Sequence, residues 1–282
     1  MNNYSSPAGF AMIQQLIEEK CGIALSREKS YLLENKLSRL LPQYGLSSLE
    51  ELYLRACLEE SPEIIEEIIE AVAINETFWF RDRTPWQIIE DMLLPDFVKV
   101  YRNNLKDKLR IWSAACSNGQ EPYSIAMCIN RFLRINNITD VPEDNIEILA
   151  TDISKNAILK AAAGEYDGIS VSRGLEDQYK YMYFSKAGRI WKLSEEIKRR
   201  VDFRHFNLIG NDYPDKLYDI VFCRNVLIYF SGRFKKHVME GMAKALKPGG
   251  VLFIGSSELY EDYSKYFSME QHQNGIYYRK RE

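Results

Sequence analysis

Residues that could line a site for a charged ligand, most of them polar, follow four predicted strands of this 282-residue chain. In an open α/β sheet, ligands bind beyond the carboxyl ends of the strands, near the point where the strand order reverses. Because the carboxyl ends of parallel strands meet at one edge of the sheet, these residues are expected to share a site. They are Glu121, Asp152, Asn207, Leu208, Arg224 and Asn225.

The loop that contains Glu121, residues 113–123, indicates the kind of ligand. Its small residues let the backbone approach a ligand, but it lacks the Gly-Lys-Ser/Thr ending of a P-loop and the pattern of a GxGxxG turn. A phosphate cradle is therefore not expected, and the Glu121 carboxylate favours a cation. S-adenosylmethionine carries an ammonium and a sulfonium, so its electrostatics suit this loop. Glu121 could equally charge the first turn of a helix, where carboxylates are stabilised in any case.

Asp152 ends the second predicted strand, where its carboxylate could accept hydrogen bonds from both hydroxyls of a ribose. Capping the next helix is an equally good interpretation of this residue alone. Asn207 and Leu208 follow the third strand, within reach of an adenine edge, and Arg224-Asn225 follow the fourth, where a reacting group would sit. Four successive strands that end in such residues favour a ligand site over four unrelated roles.

Histidine, cysteine and metal chemistry find little support in the sequence. The three histidines, His205, His237 and His272, form no His/Asp or Cys/His arrangement and are interpreted as surface or local packing residues. The five cysteines are odd in number and contain no CxxC pair, which suits neither a disulfide framework nor a zinc site. We expect reduced thiols and no bound metal.

Composition excludes several other classes of protein. A net charge of −3 argues against a general nucleic-acid binder. The N-terminus lacks the basic and apolar layout of a signal peptide, and no apolar run approaches the roughly 18 residues of a membrane span. We therefore expect a cytoplasmic protein without direct membrane insertion.

The elements that must position the site alternate between strand and helix from about residue 109. Predicted strands at 109–115, 146–152, 201–206, 217–223 and 250–257 indicate a mostly parallel sheet with helices on both faces. A helix opens at Ser231 and ends at residues 247–249. Asn274-Gly275 predicts a C-terminal hairpin, which gives the sheet an antiparallel edge.

Two other regions depart from this alternation. Residues 8 to about 74 show helical periodicity, with Leu33, Leu37, Leu40 and Leu41 on one face of a helix that Pro42 and Gly45 break. Residues 165–200 predict a small β insertion with a turn at Ala187-Gly188. We therefore divide the chain into a helical domain (1–74), a linker (75–90) and an α/β domain (91–282).

Five segments in order resemble the chemotaxis receptor methyltransferase (CheR) family. They are NETFWFR (75–81), IWSAACSNGQEPYS (111–124), ILATDIS (148–154), FCRNVLIYF (222–230) and LKPGGVLFIGSSE (246–258). The first and fourth are the most specific, and LKPGG is common among class I methyltransferases. The resemblance implies a Rossmann-like class I fold with a seven-stranded sheet, S-adenosylmethionine as cofactor and S-adenosylhomocysteine as product.

The resemblance also implies roles for particular residues. The linker would close over the cofactor through Asn75, Thr77 and Arg81. Glu121 would hold the methionine amino group, Asp152 the ribose, and Asn207-Leu208 the adenine side, with Arg224 and Asn225 near the methionine. Arg81 and Tyr229 are the candidate catalytic residues: Tyr229 would line the substrate entrance, and Arg81 would either orient the substrate or stabilise the closed site. For Phe78 and Phe80, core packing is the preferred interpretation.

The implied reaction is methyl transfer to glutamate carboxylates of chemoreceptors, which serves adaptation in bacterial chemotaxis. Glutamate, with a reference pKa of about 4.3, is already ionised and needs no strong base. The implied substrate is a long acidic helical bundle, and the helical domain would meet it through Lys29, Lys36 and Arg39. A solvated helix face is the other interpretation of those three residues.

One departure from the family concerns receptor docking. Some relatives bind a C-terminal receptor peptide through a glycine-containing loop in the β insertion, and the turn at 184–191 is shorter here. We expect no peptide tether, no nucleic-acid partner and a monomer. Two alternatives stay open: a methyltransferase for another acceptor, and a non-catalytic module that binds the cofactor or its product.

Overall fold

The computed structural model of the chain describes residues 6–24, 30–58, 61–105, 108–258 and 261–282. Two compact units divide them. The first, the N-terminal unit, comprises the described residues up to Ile74 together with Asn207–Ile209 and Leu227–Val238. The second, the sheet unit, comprises the other described residues from Asn75 onward.

Short amphipathic helices build the N-terminal unit, as the periodicity predicts. In chain order they are α1 (Pro7–Cys21), α2 (Ser30–Leu37), α3 (Leu49–Leu58) and α4 (Pro62–Val72). Ser6 caps α1 by accepting a hydrogen bond from the Gly9 N–H, and Pro7 stands at the first helical position, where a missing N–H costs nothing. Helices α1, α3 and α4 bury apolar side chains, represented by Ile13, Leu49 and Ile68.

The sequence predicts a helix that continues through Leu41, and this predicted end is wrong. α2 stops at Leu37, and residues 38–40 form turns that lead into a 3-10 turn at Leu41–Tyr44. Pro42 has no N–H to donate to the carbonyl one turn earlier, at Ser38, and its ring would clash with that carbonyl, so the α-helix cannot continue to Pro42. Leu37, Leu40 and Leu41 are nevertheless all buried, which explains their helix-like spacing.

A mixed seven-stranded sheet forms the sheet unit, and this confirms the predicted fold class. Its order is β6-β2-β1-β7-β8-β10-β9, with β6 to β8 parallel and β10 antiparallel to both of its neighbours. The strands of the chain are β1 (Leu109–Ala114), β2 (Ile146–Asp152), β3 (Glu165–Asp167), β4 (Phe184–Ala187), β5 (Ile190–Leu193), β6 (Val201–His205), β7 (Tyr218–Cys223), β8 (Leu246–Ile254), β9 (Phe267–His272) and β10 (Gly275–Lys280).

Helices follow the strands in the order expected of an α/β fold. They are α5 (Arg83–Ile88), α6 (Leu94–Arg102), α7 (Gln120–Ile135), α8 (Lys155–Ala163), α9 (Gly168–Ser172), α10 (Asp177–Tyr183), α11 (Glu195–Lys198) and α12 (Gly232–Ala245). A π-helical turn at Ile89–Leu93 joins α5 to α6. The central strand β7 is buried along its whole length, as a parallel strand covered on both faces must be.

The boundary between α12 and β8 differs from the prediction. The helix ends at Ala245, and strand pairing begins at Leu246, opposite Tyr218, with an irregularity before Ile220 pairs with Val251. Lys247-Pro248-Gly249 is therefore an irregular stretch within a strand rather than a helix stop. Proline is tolerated at such irregular positions because it has no N–H to donate.

The β insertion is a three-stranded antiparallel sheet in the order β3-β5-β4. Trp79, from the predicted linker, is fully buried against it, with its ring 4.9 Å from the Tyr166 ring and 5.3 Å from that of Phe184. Its indole N–H donates to the Ser170 carbonyl at 3.0 Å. Trp79 thus fastens the predicted linker to the β insertion.

Trp79→Ala is expected to lower the free energy of unfolding by about 3–5 kcal/mol, because it leaves a large cavity and an unpaired Ser170 carbonyl. Denaturant unfolding of the full chain measures this. Trp191→Ala, at a half-buried tryptophan of the same insertion, is the matched control and should cost less. Equal losses for the two variants would contradict the anchoring role.

Candidate functional site

The strand order reverses between β1 and β7. From β1 the chain goes to β2 on one side, and it later returns to β7 on the other side. Beyond the carboxyl ends of β1 and β7 lies the crevice where ligands bind in such sheets. The residues that follow these two strands, Ala115 and Arg224, lie at this crevice.

A buried guanidinium occupies the centre of the crevice. The Arg224 side chain is only 1% exposed and makes ion pairs with two carboxylates. Its Nη1 donates to Glu121 Oε2 at 2.9 Å, and its Nη2 donates to Asp82 Oδ2 at 2.7 Å. The same Nη2 also donates to the Arg81 carbonyl at 2.7 Å. Arg224 thus connects β7, α7 and the 75–82 segment.

Glu121 lies in the first turn of α7, where the helix N-terminus favours a carboxylate. Its second oxygen accepts a hydrogen bond from the Ser113 hydroxyl at 2.8 Å. Burial raises the pKa of Glu121 above its usual value, although the charge of Arg224 and the Ser113 hydrogen bond act in the opposite direction. The sequence indicates an acidic group facing a cation, and the structure adds that Arg224 is a cation already paired with it.

Asp152 connects the two neighbouring loops. One carboxylate oxygen accepts from the Ser117 N–H at 2.8 Å and the other from the Ser154 N–H at 2.9 Å. Helix α8 is capped by Ser154 itself, whose hydroxyl accepts from the Ala157 N–H. The Asp152 side chain is therefore hydrogen-bonded to both loops. It lies at the edge of the crevice, and 7% of the residue is exposed.

The β1–α7 loop turns sharply through left-handed residues. Ala115, Ser117 and Gly119 have φ angles of +59°, +52° and +90°. A Cβ on Gly119 would lie 2.8 Å from that of Ala161, so glycine is required there for spacing as well as conformation. The tight loop brings successive backbone groups to the crevice.

The 75–82 segment is fastened to this loop. The Asn75 carbonyl accepts from the Ser117 hydroxyl at 3.0 Å and from the Asn118 side chain at 3.2 Å. Thr77 is half-buried, and the Arg81 guanidinium carbon lies 5.2 Å from the Phe78 ring centre. The structure therefore brings Asn75 and Arg81 to the same end of the sheet as Glu121.

Asn225 adopts a left-handed conformation directly after Arg224, with φ +60°. Its N–H donates to Glu258 Oε2 at 2.6 Å, and the Gly255 N–H donates to the same oxygen at 2.7 Å. A Cβ on Gly255 would lie 2.7 Å from Asn225 Nδ2. The buried Glu258 carboxylate thus joins the end of β7 to the end of β8.

Sequence reasoning missed three groups of the site: Asp82, Ser113 and Glu258. Asp82 directly follows the family segment 75–81, and Glu258 is the last residue of the segment 246–258. Ser113 lies inside the segment 111–124. No spacing rule predicts their partners, because the bonds from Arg224 to Asp82 and from Asn225 to Glu258 span 142 and 33 residues. A polar residue at either end of such a segment is the one available signal.

Two cysteines also border the crevice. Cys116 follows β1 and Cys223 ends β7, and both are buried. Burial raises the pKa of each thiol well above its usual value, and the nearby carboxylates of Asp152 for Cys116 and Glu258 for Cys223 add to the effect. Both thiols are therefore protonated at neutral pH.

The remaining candidate residues belong to the N-terminal unit. Asn207 Nδ2 donates to the Lys20 carbonyl at 2.8 Å, and its Oδ1 accepts from the Ile209 N–H. Leu208 is buried, and the Tyr229 carbonyl accepts from the Ala24 N–H at 2.7 Å. These contacts show where the three residues lie within the N-terminal unit. Their assigned roles, at the adenine side of the cofactor and at the substrate entrance, stay predictions.

Of the predicted receptor-binding residues, Lys36 and Arg39 are exposed, whereas Lys29 lies outside the described residues.

Within the described part of the chain, no group of three or more His, Cys, Asp or Glu residues is placed to hold a metal ion. None of the helices there has the length and apolar character needed to span a bilayer.

Together, the strand order and the crevice define the class of protein. The sheet has five parallel strands and an antiparallel hairpin, and its strand order reverses between β1 and β7. Acidic side chains follow β1 and β2 at this reversal. These are the features of a class I S-adenosylmethionine-dependent methyltransferase. The residues of the crevice fit this cofactor, since they supply charged groups of both signs and the cofactor carries charges of both signs.

The chain belongs to the CheR methyltransferase family. The family description "CheR methyltransferase, SAM binding domain" matches residues 75–276, and "CheR methyltransferase, all-alpha domain" matches residues 8–73. This confirms the resemblance drawn from the five segments and establishes S-adenosylmethionine as the cofactor.

Named relatives are similar over nearly the whole chain. "Chemotaxis protein methyltransferase Cher2" of Pseudomonas putida is 40% identical over 271 residues, which cover 96% of this chain and 97% of that protein. "Chemotaxis protein methyltransferase 1" of Pseudomonas aeruginosa is 39% identical over 273 residues, with coverages of 96% and 97%. The chain is a methyltransferase of chemotaxis.

Asp152→Ala is expected to weaken S-adenosylmethionine binding at least about tenfold, because it removes a charged acceptor and releases both adjoining loops. Titration calorimetry measures the affinity. Asp140→Ala is the matched control, since its carboxylate pairs with Arg102 and both side chains are about half exposed. Unchanged affinity in Asp152→Ala would refute a ribose-binding role.

Proposed function

We propose that the chain transfers the methyl group of S-adenosylmethionine to glutamate side chains of chemoreceptors, giving glutamyl methyl esters and S-adenosylhomocysteine. The observation that carries this proposal is the cluster of the buried Arg224 guanidinium with the half-buried Glu121 and Asp82 carboxylates, together with the family membership. It provides charged groups for a cofactor.

The methionine end of the cofactor carries an ammonium and a carboxylate. Glu121 and Asp82 supply two negative charges against the one of Arg224, and the positive charge of Arg81 is close enough to lower the pKa of Glu121. A site with both signs suits a zwitterion. We assign the ammonium to Glu121, the ribose to Asp152, the adenine side to Asn207 and Leu208, and contacts near the methionine to Asn225 and the Arg224 backbone.

A glutamate acceptor requires no general base from the protein. A carboxylate is ionised at neutral pH, with a reference pKa of about 4.3, so the chain has no proton to remove from it. His205 is exposed at the end of β6, and His272 lies 3.8 Å from Asp91 near the sheet edge. Catalysis then rests on orientation and exclusion of water, which are worth up to about 7–11 kcal/mol in favourable cases.

Arg81 and Tyr229 are our candidates for handling the acceptor. A guanidinium binds a carboxylate in a fixed planar geometry, so Arg81 can orient the attacking oxygen. Tyr229 would line the entrance. We also assign Arg81, with Asn75 and Thr77 on the same segment, to closing the site over the cofactor.

Receptor recognition is assigned to the exposed basic residues Lys36 and Arg39, with Lys29 as a third member of the predicted face. The β4–β5 connection supports the absence of a peptide tether, because only two residues separate Ala187 from Ile190. We further propose that the enzyme acts as a monomer in the cytoplasm, where receptor signalling helices and reduced thiols are found.

Transfer of labelled methyl groups tests the acceptor. The full chain, labelled cofactor and membranes that contain chemoreceptors should give labelled receptor, and mild base should release the label as methanol. Receptors whose methyl-accepting glutamates are changed to alanine are the control and should stay unlabelled. Base-stable label, label in a small molecule, or no transfer would each reject the glutamate ester.

The raised pKa of Glu121 predicts a pH dependence of cofactor binding. Protonation removes the negative charge that attracts the ammonium, so affinity should fall as the pH is lowered through the Glu121 pKa. This fall in affinity should begin at a higher pH than it would if Glu121 had the pKa of an ordinary glutamate. Glu121→Gln should bind more weakly at neutral pH and lose this dependence. Calorimetry from neutral pH downward checks the prediction, and parallel profiles for the two proteins would contradict it.

A further inference from the structure

The backbone on either side of Arg81 is strained. Phe80 has φ +48°, and Asp82 has φ +58° with ψ 126°. Residues other than glycine adopt such angles only when the surrounding structure holds them, and such residues cluster at functional sites. The strain therefore raises the question of what holds this segment.

Helix capping does not explain Asp82. It occupies the N-cap position of α5, where an aspartate ordinarily accepts a hydrogen bond from an N–H of the first turn, and its side chain makes no such bond. Its carboxylate accepts from Arg224 Nη2 at 2.7 Å instead. The helix thus forgoes a cap, and the side chain is directed to the buried guanidinium.

The same Arg224 nitrogen holds the neighbouring main chain. Nη2 donates to the Arg81 carbonyl at 2.7 Å, and the Trp86 indole N–H donates to that carbonyl at 3.2 Å. The Arg224 guanidinium carbon lies 5.8 Å from the Trp86 ring centre. One donor group therefore holds both the carbonyl of the Arg81–Asp82 peptide and the Asp82 carboxylate, which fixes the main chain on the C-terminal side of the Arg81 Cα.

We propose that Asp82 is a positioning residue: through Arg224 it holds the strained turn that directs Arg81 at the cofactor. The inference rests on the proposed placement of Arg81 at the cofactor. The Arg81 side chain lies over Phe78, and its charge reaches Glu121. Without the Asp82 carboxylate, the strained turn relaxes and Arg81 loses this direction.

A double-mutant cycle on cofactor affinity tests the proposal. Asp82→Gly removes the carboxylate while glycine accepts a positive φ, so backbone strain alone cannot account for a loss. We expect it to weaken S-adenosylmethionine binding about tenfold, which is 1.4 kcal/mol. Asp82→Asn keeps an acceptor oxygen for Arg224 and should restore most of the affinity.

The cycle is completed with Arg81→Ala. If Asp82 acts through Arg81, Asp82→Gly in an Arg81→Ala background should change the affinity less than about twofold. Asp140→Gly is the control for removal of an exposed carboxylate and should bind normally. Unchanged affinity in Asp82→Gly or in Arg81→Ala, or losses that multiply in the double variant, would overturn the proposal.

Two further measurements keep the result decisive. If Asp82→Gly fails to fold by circular dichroism, the cycle is run with Asp82→Ala, which also removes the carboxylate and whose loss must likewise vanish in the Arg81→Ala background. Cofactor binding requires no acceptor, so failure of the glutamate assay rejects the proposed acceptor and leaves the positioning role intact.

Discussion

The burial of the Arg224 charge is the constraint on which the site depends. A guanidinium taken out of water must be surrounded by acceptors, because an unpaired buried charge is strongly destabilising. Two parts of the sheet unit supply three acceptors: α7 supplies the Glu121 carboxylate, and the segment before α5 supplies the Asp82 carboxylate and the Arg81 carbonyl. The crevice is thus built around a charge requirement, and the strained backbone of Asp82 follows from meeting it.

Much of the fold could be predicted from the sequence because its patterns are local. β1, β2 and β7 carry runs of apolar residues bounded by turn signals, and Asn274-Gly275 marks the hairpin. Boundaries were less predictable. Residues 247–249 resemble a helix stop, yet strand pairing already begins at Leu246, because pairing with Tyr218 depends on a partner strand 28 residues away.

In the candidate site, too, some features could be predicted from the sequence and others could not. The positions of Glu121 and Asp152 after β1 and β2 follow from strand ends alone, and the structure places both at the crevice. What they bind could not be predicted. The Glu121–Arg224 pair joins residues 103 apart in the chain, and the partners of Asp152 depend on the left-handed turn at Ser117. Such contacts exist only once the sheet has formed.

The protonated state of Cys116 and Cys223 has a consequence for the lifetime of the enzyme. A sulfonium methyl donor is an alkylating agent, and thiolates are much better nucleophiles than carboxylates. An ionised thiol beside the crevice would compete for the methyl group and cap the protein irreversibly as a thioether. By burying both sulfur atoms next to carboxylates, the fold keeps them unreactive and reserves the donor for its acceptor.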